Sequence, residues 1–206
     1  MDRQKVILFG TGARFSVAVL DQLIAHGLKP IALALPEFAP AILERIGETR
    51  VYSGVKENRF IKKARQLSIQ MIYLPESSQP SMAQKIAALK ADFILVACWP
   101  YLLSPDIINA TGKAAVNLHP SILPHYRGAD PVGEQVERQE KKLGVTLHLL
   151  SQKFDQGDII DQTEFVSSVK YPGRELIETQ AARAGINLFM QAIKDFGGPD
   201  WTLQPQ

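Results

Sequence analysis

Asn117 and His119 stand two residues apart at the end of the apolar run Ala114-Ala115-Val116. On extended backbone that spacing puts both side chains on one face. Pro120 then ends the strand, because it has no N–H for a ladder. A carboxamide and an imidazole therefore sit side by side where a strand gives way to a loop, the edge at which α/β proteins bind ligands. The carboxamide offers N–H donors that do not titrate. The imidazole has an ordinary pKa of about 6.5 and moves protons near neutrality. The pair suits a reaction that builds negative charge on an oxygen and relocates a proton.

Other candidate groups are weaker alone. Asp155, two residues before Gly157, by itself suits a turn. His125 lies with Tyr126 and Arg127 in a loop and suits solvent or an acceptor contact. His148 shares a strand face with Thr146 and is expected beneath the site, behind the groups that touch a ligand. His26 precedes Gly27 at a helix C-terminus. The single Cys98 rules out an internal disulfide and suits buried filler. No spacing among these residues matches a zinc cage, so no metal is expected.

The stretch Val116–Val132, VNLHPSILPHYRGADPV, resembles the core of the folate-dependent formyltransferases. That family includes methionyl-tRNA formyltransferase, glycinamide ribonucleotide formyltransferase and the amino-sugar N-formyltransferases. The resemblance rests on Asn117-Leu118-His119, on Ser121-Ile122-Leu123-Pro124, and on Asp155 in the later Gly144–Asp158 segment; it extends loosely from about Lys5 to about Phe196. It implies a catalytic trio of Asn117, His119 and Asp155. It implies 10-formyltetrahydrofolate as the formyl donor. Its pterin would lie between the Cys98, Trp99, Tyr101, Leu102 and Leu103 loop and the loop carrying Phe154 and Asp155. The run Arg127-Gly128-Ala129-Asp130-Pro131 matches the tRNA and sugar branches, so Gly12, Arg14, Ser121, Arg127, Gly128 and Asp130 are expected on the acceptor side. Trp99 and Tyr101 also suit plain packing inside a strand-to-helix turn.

In formyl transfer an amine attacks the formyl carbon and charge develops on the formyl oxygen. His119 suits oxyanion support or proton transfer, Asn117 donates an N–H, and Asp155 holds the imidazolium or relays a proton. The same trio would serve a formyltetrahydrofolate hydrolase, with water replacing the amine. A non-catalytic folate-binding module is the alternative of another class, and the intact trio argues against it.

The elements that must position these groups alternate along the chain. Lys5–Gly10 suits a central strand. Phe15, Val19, Leu20 and Leu23 recur at helical spacing, and Gly27 ends that helix. Phe15 occupies the third glycine position of a dinucleotide fingerprint, which weakens a nicotinamide reading. The Gly10-Thr11-Gly12 turn is either a tight connection or an anion site. Further strands are expected over 30–35, 71–74, 92–97, 144–150 and 159–166. Helices are expected over 39–46, 59–67, 82–89 and 131–139, with a loop over 75–80. A last helix after Pro172-Gly173 buries Ile177, Ala181, Ala184, Leu188, Ala192 and Phe196 and ends at Gly197-Gly198-Pro199. The class is α/β, an open, mostly parallel Rossmann-like sheet with helices on both faces. One catalytic domain spans 1–198, with a tail over 199–206.

At 206 residues the chain has room for one such domain. No apolar run reaches the roughly 20 residues of a membrane span. The start enters a strand directly, so no signal peptide is expected, and with one cysteine a cytoplasmic location is expected. A net charge of +2 gives no global attraction for nucleic acid. The Arg59–Leu67 helix, with Lys62, Lys63 and Arg65, is expected as a solvated face. No counterpart of the glycine-rich basic loop or of the added C-terminal domain of tRNA-modifying relatives is expected. A small amine acceptor is therefore expected ahead of tRNA.

Overall fold

β1 (Val6–Gly10) consists of five buried residues. A strand buried throughout needs cover on both faces. Alternation supplies it: Val6 and Leu8 join the core on one side, Ile7 and Phe9 the core on the other. The chain, seen in a computed structural model that describes residues 4–37, 59–75, 79–167, 169–170, 172–199 and 201–206, builds one sheet around this strand. Its other strands are β2 (Ala32–Pro36), β3 (Gln70–Leu74), β4 (Phe93–Ala97), β5 (Ala114–His119), β6 (Leu143–Leu149) and β7 (Ile159–Phe165). The order is β3-β2-β1-β4-β5-β6-β7. β1 to β5 pair in parallel, and β6 and β7 are antiparallel additions.

Helices Arg14–Ala25, Arg59–Gln66 and Arg174–Asp195 pack on one face through Leu20, Phe60 and Phe189. Helices Gln79–Ala88 and Pro105–Ile108 cover the other through Ile86 and Ile107. The short helix Pro131–Glu137 closes a satellite cluster of Val132, Leu143 and Ile177. The open, mostly parallel sheet with two covered faces is the architecture that the sequence implies. None of the described helices is long and apolar enough to cross a membrane.

Two features differ from expectation. The helix expected from Met82 starts at Gln79, inside the expected 75–80 loop. The stripe of the last helix is centred one residue later. Ile177, Ala181, Gly185, Phe189 and Ile193 are buried with Glu178, Ala182 and Ile186, whereas Ala184, Leu188, Ala192 and Phe196 are only half-buried. Small and large apolar residues on adjacent positions made two neighbouring stripes look alike. The expected 39–46 helix lies outside the described residues. The segment beyond Pro199 docks: Trp201 packs on Phe196 at 4.9 Å, and Gln204 pairs with Ile159 at the start of β7.

The chain steps from β1 outward to β2 and β3, then returns to β4 on the other side of β1. Connections leave the carboxyl ends of β1 and β4 in opposite directions, and such a switch point opens a crevice. Gly10 and Ala97 face each other there, and the Ser16 hydroxyl donates to the Ala97 carbonyl at 2.8 Å.

Candidate active site

The carboxyl ends of β4 and β5 border a cavity of about 410 Å³. β5 brings Asn117 and His119 to its wall, and β6 runs antiparallel beside them. Asn117 is registered against His148, and His119 against Thr146. The alternation of β6 therefore places two polar side chains directly behind the two of β5. Both are buried, Thr146 at 0% and His148 at 2% exposure.

Thr146 fixes the turn after His119. Its hydroxyl donates to the Ser121 carbonyl at 2.7 Å and accepts from Leu123 N–H at 3.1 Å. Gln162 from β7 adds a bond to the same hydroxyl and one to the Leu123 carbonyl. Gln135, buried in the next helix, donates to the carbonyls of Pro120 and Pro131. This set of bonds aims the Tyr126 carbonyl at His119 Nε2, 2.8 Å away. A carbonyl only accepts, so Nε2 carries a proton. The other ring nitrogen, Nδ1, lies 3.4 Å from Asp155 Oδ1.

Asp155 reaches this position on a tightly folded loop with φ +52°. Cys98 and Tyr126, also at the site, have φ +59° and +57°. Left-handed backbone is costly for such residues, and it concentrates where the surroundings hold a functional geometry. Oδ1 of Asp155 faces His119 and accepts from Asn117 Nδ2 at 3.3 Å, and Oδ2 accepts from Gly128 N–H at 3.0 Å. Burial pushes the Asp155 carboxyl up. The His119 imidazole and the Gly128 N–H outweigh burial and hold it well below the usual carboxylate range. His119 is the nearer imidazole, since His148 Nε2 stands 3.7 Å away and is already 3.0 Å from Asn117 Nδ2.

The sign of the resulting pH dependence is fixed. Asp155 titrates lower in the folded than in the unfolded chain, so its ionised form stabilises the fold above about pH 4 and loses that effect as pH falls further. Asp155→Asn lacks the contribution at every pH. The Tm gap between wild type and Asp155→Asn is expected to be widest near neutrality and to narrow below about pH 4. A gap that stays constant from about pH 7 to pH 3 contradicts this.

Trp99, Leu102, Leu103 and Phe154 give the cavity an apolar side. Trp99 is both wall and packing residue, lying 5.1 Å from the Phe9 ring and 6.2 Å from Tyr101. Cys98 and Tyr101 also line the space. Leu102 and Phe154 stand 43% and 50% exposed at its rim. Apolar side chains exposed at the rim of a cavity offer cover to a ligand that enters it. Leu102→Ala and Phe154→Ala are each expected to weaken folate binding about three- to tenfold with unchanged Tm, since each removes apolar cover without opening the core. Unchanged affinity in both variants would place the pterin elsewhere.

The cavity lining also carries charged side chains. Arg14, Gly128 and Asp130 line the cavity, together with Arg174 and Glu178. Arg174 grips Asp130 with two bonds, at 2.5 and 2.7 Å, which hold that carboxyl below its ordinary value. Asp130 also caps the following helix by accepting from Gly133 N–H. Glu178 sits 3.8 Å from Arg14 and 3.9 Å from Arg174.

Three residues expected on the acceptor side do not line the cavity. Ser121 is fully buried, and its hydroxyl donates to the His125 carbonyl, which makes it part of the turn. Arg127 points away to Gln206. Gly12, at φ +82°, makes the tight connection after β1. The turn satisfies itself, with Ala13 N–H on the Thr11 hydroxyl and Thr11 N–H on the Ser16 hydroxyl. The sequence reading overlooked Arg174 and Glu178. An acidic residue beside Ile177 on a helix face continued by Ala181, Ala182 and Gly185 was the available signal.

The family model for formyl transferases matches residues 5–193. The chain belongs to the formyl transferase family. It is 27% identical over 190 residues to methionyl-tRNA formyltransferase of Carboxydothermus hydrogenoformans, covering 92% of this chain and 58% of that protein. Among solved structures, phosphoribosylglycinamide formyltransferase from Bacillus halodurans shares the fold, with a TM-score of 0.68 at 18% identity over 93% of this chain and 96% of that one. So does the N-formyltransferase from Helicobacter canadensis, in complex with folinic acid and dTDP-3-aminofucose, with a TM-score of 0.67 at 18% identity over 98% and 67%. This formyl transferase chain thus spans less than two thirds of the length of the first of these relatives.

Proposed function

We propose that this protein transfers a formyl group from 10-formyltetrahydrofolate to the amine of a small acceptor. The observation that carries the reading is the convergence of Asn117, His119 and Asp155 at a cavity lined by both apolar and charged side chains. A flat pterin suits the apolar lining, where Trp99, Leu103 and the rim residues offer walls. The acceptor amine enters beside the charged side chains and attacks the formyl carbon.

His119 supports the oxyanion and the proton transfers. Its Nε2 is held by the Tyr126 carbonyl, so Nδ1 is the nitrogen available to both Asp155 and a reacting oxygen. At 3.4 Å the Nδ1–Asp155 contact is longer than a good charge-assisted hydrogen bond, which leaves the proton shareable. Asp155 stays ionised through the working pH range and favours the imidazolium. The proton lost by the amine passes through this pair to the departing folate nitrogen. No covalent enzyme intermediate is required.

A small acceptor is favoured over tRNA on electrostatic grounds. Binding of tRNA relies on many Lys and Arg contacts to phosphates, and the net charge is only +2. On the basic helix Arg59–Gln66, Lys63 is paired with Asp21. The relatives named methionyl-tRNA formyltransferase favour the other acceptor. A formylation assay decides between them: charged initiator tRNA at several salt concentrations, against a panel of amino sugars and amino acid derivatives. Transfer to a panel member supports the proposal. Efficient transfer to tRNA that weakens steeply with salt overturns the small-amine reading.

A further inference from the structure

The carboxamide nitrogen of Asn117 has two hydrogens and two acceptors, His148 Nε2 at 3.0 Å and Asp155 Oδ1 at 3.3 Å. An oxyanion needs one of those hydrogens, so one bond must yield. Which one yields depends on His148.

His148 is 2% exposed, and its Nδ1 lies 2.8 Å from the carbonyl of Leu149. That carbonyl accepts only, so Nδ1 carries a proton. In the uncharged ring Nε2 is then a lone pair, which suits the Asn117 N–H in front of it. The reverse orientation of the carboxamide would turn its oxygen toward the Asp155 carboxylate and toward the Nε2 lone pair. Both acceptors therefore select the same orientation. The bond to His148 is the shorter, and it links two buried strands in fixed register. The bond to Asp155 is the longer, and it ends on a loop.

We propose that His148 is a positioning residue. Through Nε2 it anchors one hydrogen of the Asn117 carboxamide, so that the second passes from Asp155 to the formyl oxygen as negative charge develops there. The last clause rests on the formyl-transfer reading; the anchoring bond and the ring tautomer do not. The exchange balances, since one N–H···O contact replaces another and Asn117 keeps both hydrogens. Asp155, relieved of Asn117, is left with His119 and Gly128, the contacts that favour a charged imidazolium.

The test has two arms. In the first, 15N NMR of the wild-type protein reads the tautomer of His148 and the coupling across the Asn117–His148 hydrogen bond. The expected result is a proton on Nδ1, a bare Nε2 and a measurable Nδ2–Nε2 coupling. A proton on Nε2 of the uncharged ring, or no coupling, overturns the proposal. This arm decides the anchoring bond whether or not the wild type consumes 10-formyltetrahydrofolate, so its failure is distinct from failure of the formyl-transfer reading. In the second, tetrahydrofolate formation from saturating 10-formyltetrahydrofolate is compared with folinic acid affinity in His148→Leu and His148→Gln. Glutamine offers an oxygen near the position of Nε2, and leucine offers nothing. His148→Leu is expected to lose about ten- to a hundredfold in kcat with folinic acid affinity within about twofold, and His148→Gln to recover to within about threefold of wild type. Equal losses in the two variants, or a loss of folinic acid binding that matches the loss in rate, overturns it.

Discussion

Replacing His119 by alanine is expected to slow formyl transfer by about a hundredfold or more, and replacing Asp155 by alanine by a similar factor. The double variant is expected to lose little beyond the worse single one, because groups that act as a unit are not additive. The structure gives the reason. His119 Nδ1 and the Asn117 carboxamide face Asp155 Oδ1 at 3.4 and 3.3 Å, nearer than His148 Nε2 at 3.7 Å, so an imidazole at position 119 without that carboxylate loses its charge partner. A carboxylate without the imidazole is a buried charge with less to hold it. Turnover near the wild-type rate in a folded His119→Ala protein contradicts the assignment. A double variant slower than the worse single by the full product of the two losses contradicts the shared relay.

Gly157→Ala is expected to be nearly as damaging, although residue 157 performs no chemistry. A Cβ there would stand 1.8 Å from the carbonyl oxygen of Leu149 and 2.7 Å from its carbon. Backbone cannot rotate out of the way as a side chain can. The oxygen that would be displaced is the one that accepts from His148 Nδ1, and the loop that would move carries Asp155. The expected cost is about 2–3 kcal/mol, or about 5–10 °C in Tm for a domain of this size, with a rate loss approaching that of Asp155→Ala. Gly173→Ala is the control. Its Cβ would meet nothing within 4 Å, and its φ of −75° suits any residue. Its Tm is expected to stay within about 2 °C of wild type. Thermal melts of both variants check this, and a Gly157→Ala protein as stable and active as wild type contradicts the packing argument.

Much of the frame was legible in the chain because it depends on local signals. Strands β1, β4 and β5 are apolar runs that only a two-sided parallel sheet accommodates, and Gly27 marks a helix end by its φ of +75°. Asn117 and His119 announced themselves through spacing and the following proline. What the sequence could not show was pairing. That His148 lies opposite Asn117 follows from the antiparallel register of β6 on β5, set by contacts about 30 residues apart in the chain. Seen along β6 alone, His148 shares an alternating pattern with Thr146 and nothing distinguishes their partners. Glu178 was hidden differently, because apolar neighbours dominate the stripe of its helix. Ser121 and Arg127 fell on the wrong side because a motif gives order along the chain and says nothing of which way a turn faces. Ser121 turns inward to the His125 carbonyl, and Arg127 turns out to Gln206.

The most direct measurement of the central claim follows the formyl carbon itself. 10-Formyltetrahydrofolate labelled with 13C in the formyl group is incubated with the protein and a panel of amines, and the label is read by NMR alongside tetrahydrofolate formation. The account predicts that the label moves into an N-formyl product in step with tetrahydrofolate, only when the accepting amine is present, and that His119→Ala slows the transfer by about a hundredfold or more. Label appearing solely as formate, at a rate indifferent to every amine and to charged initiator tRNA, would contradict it.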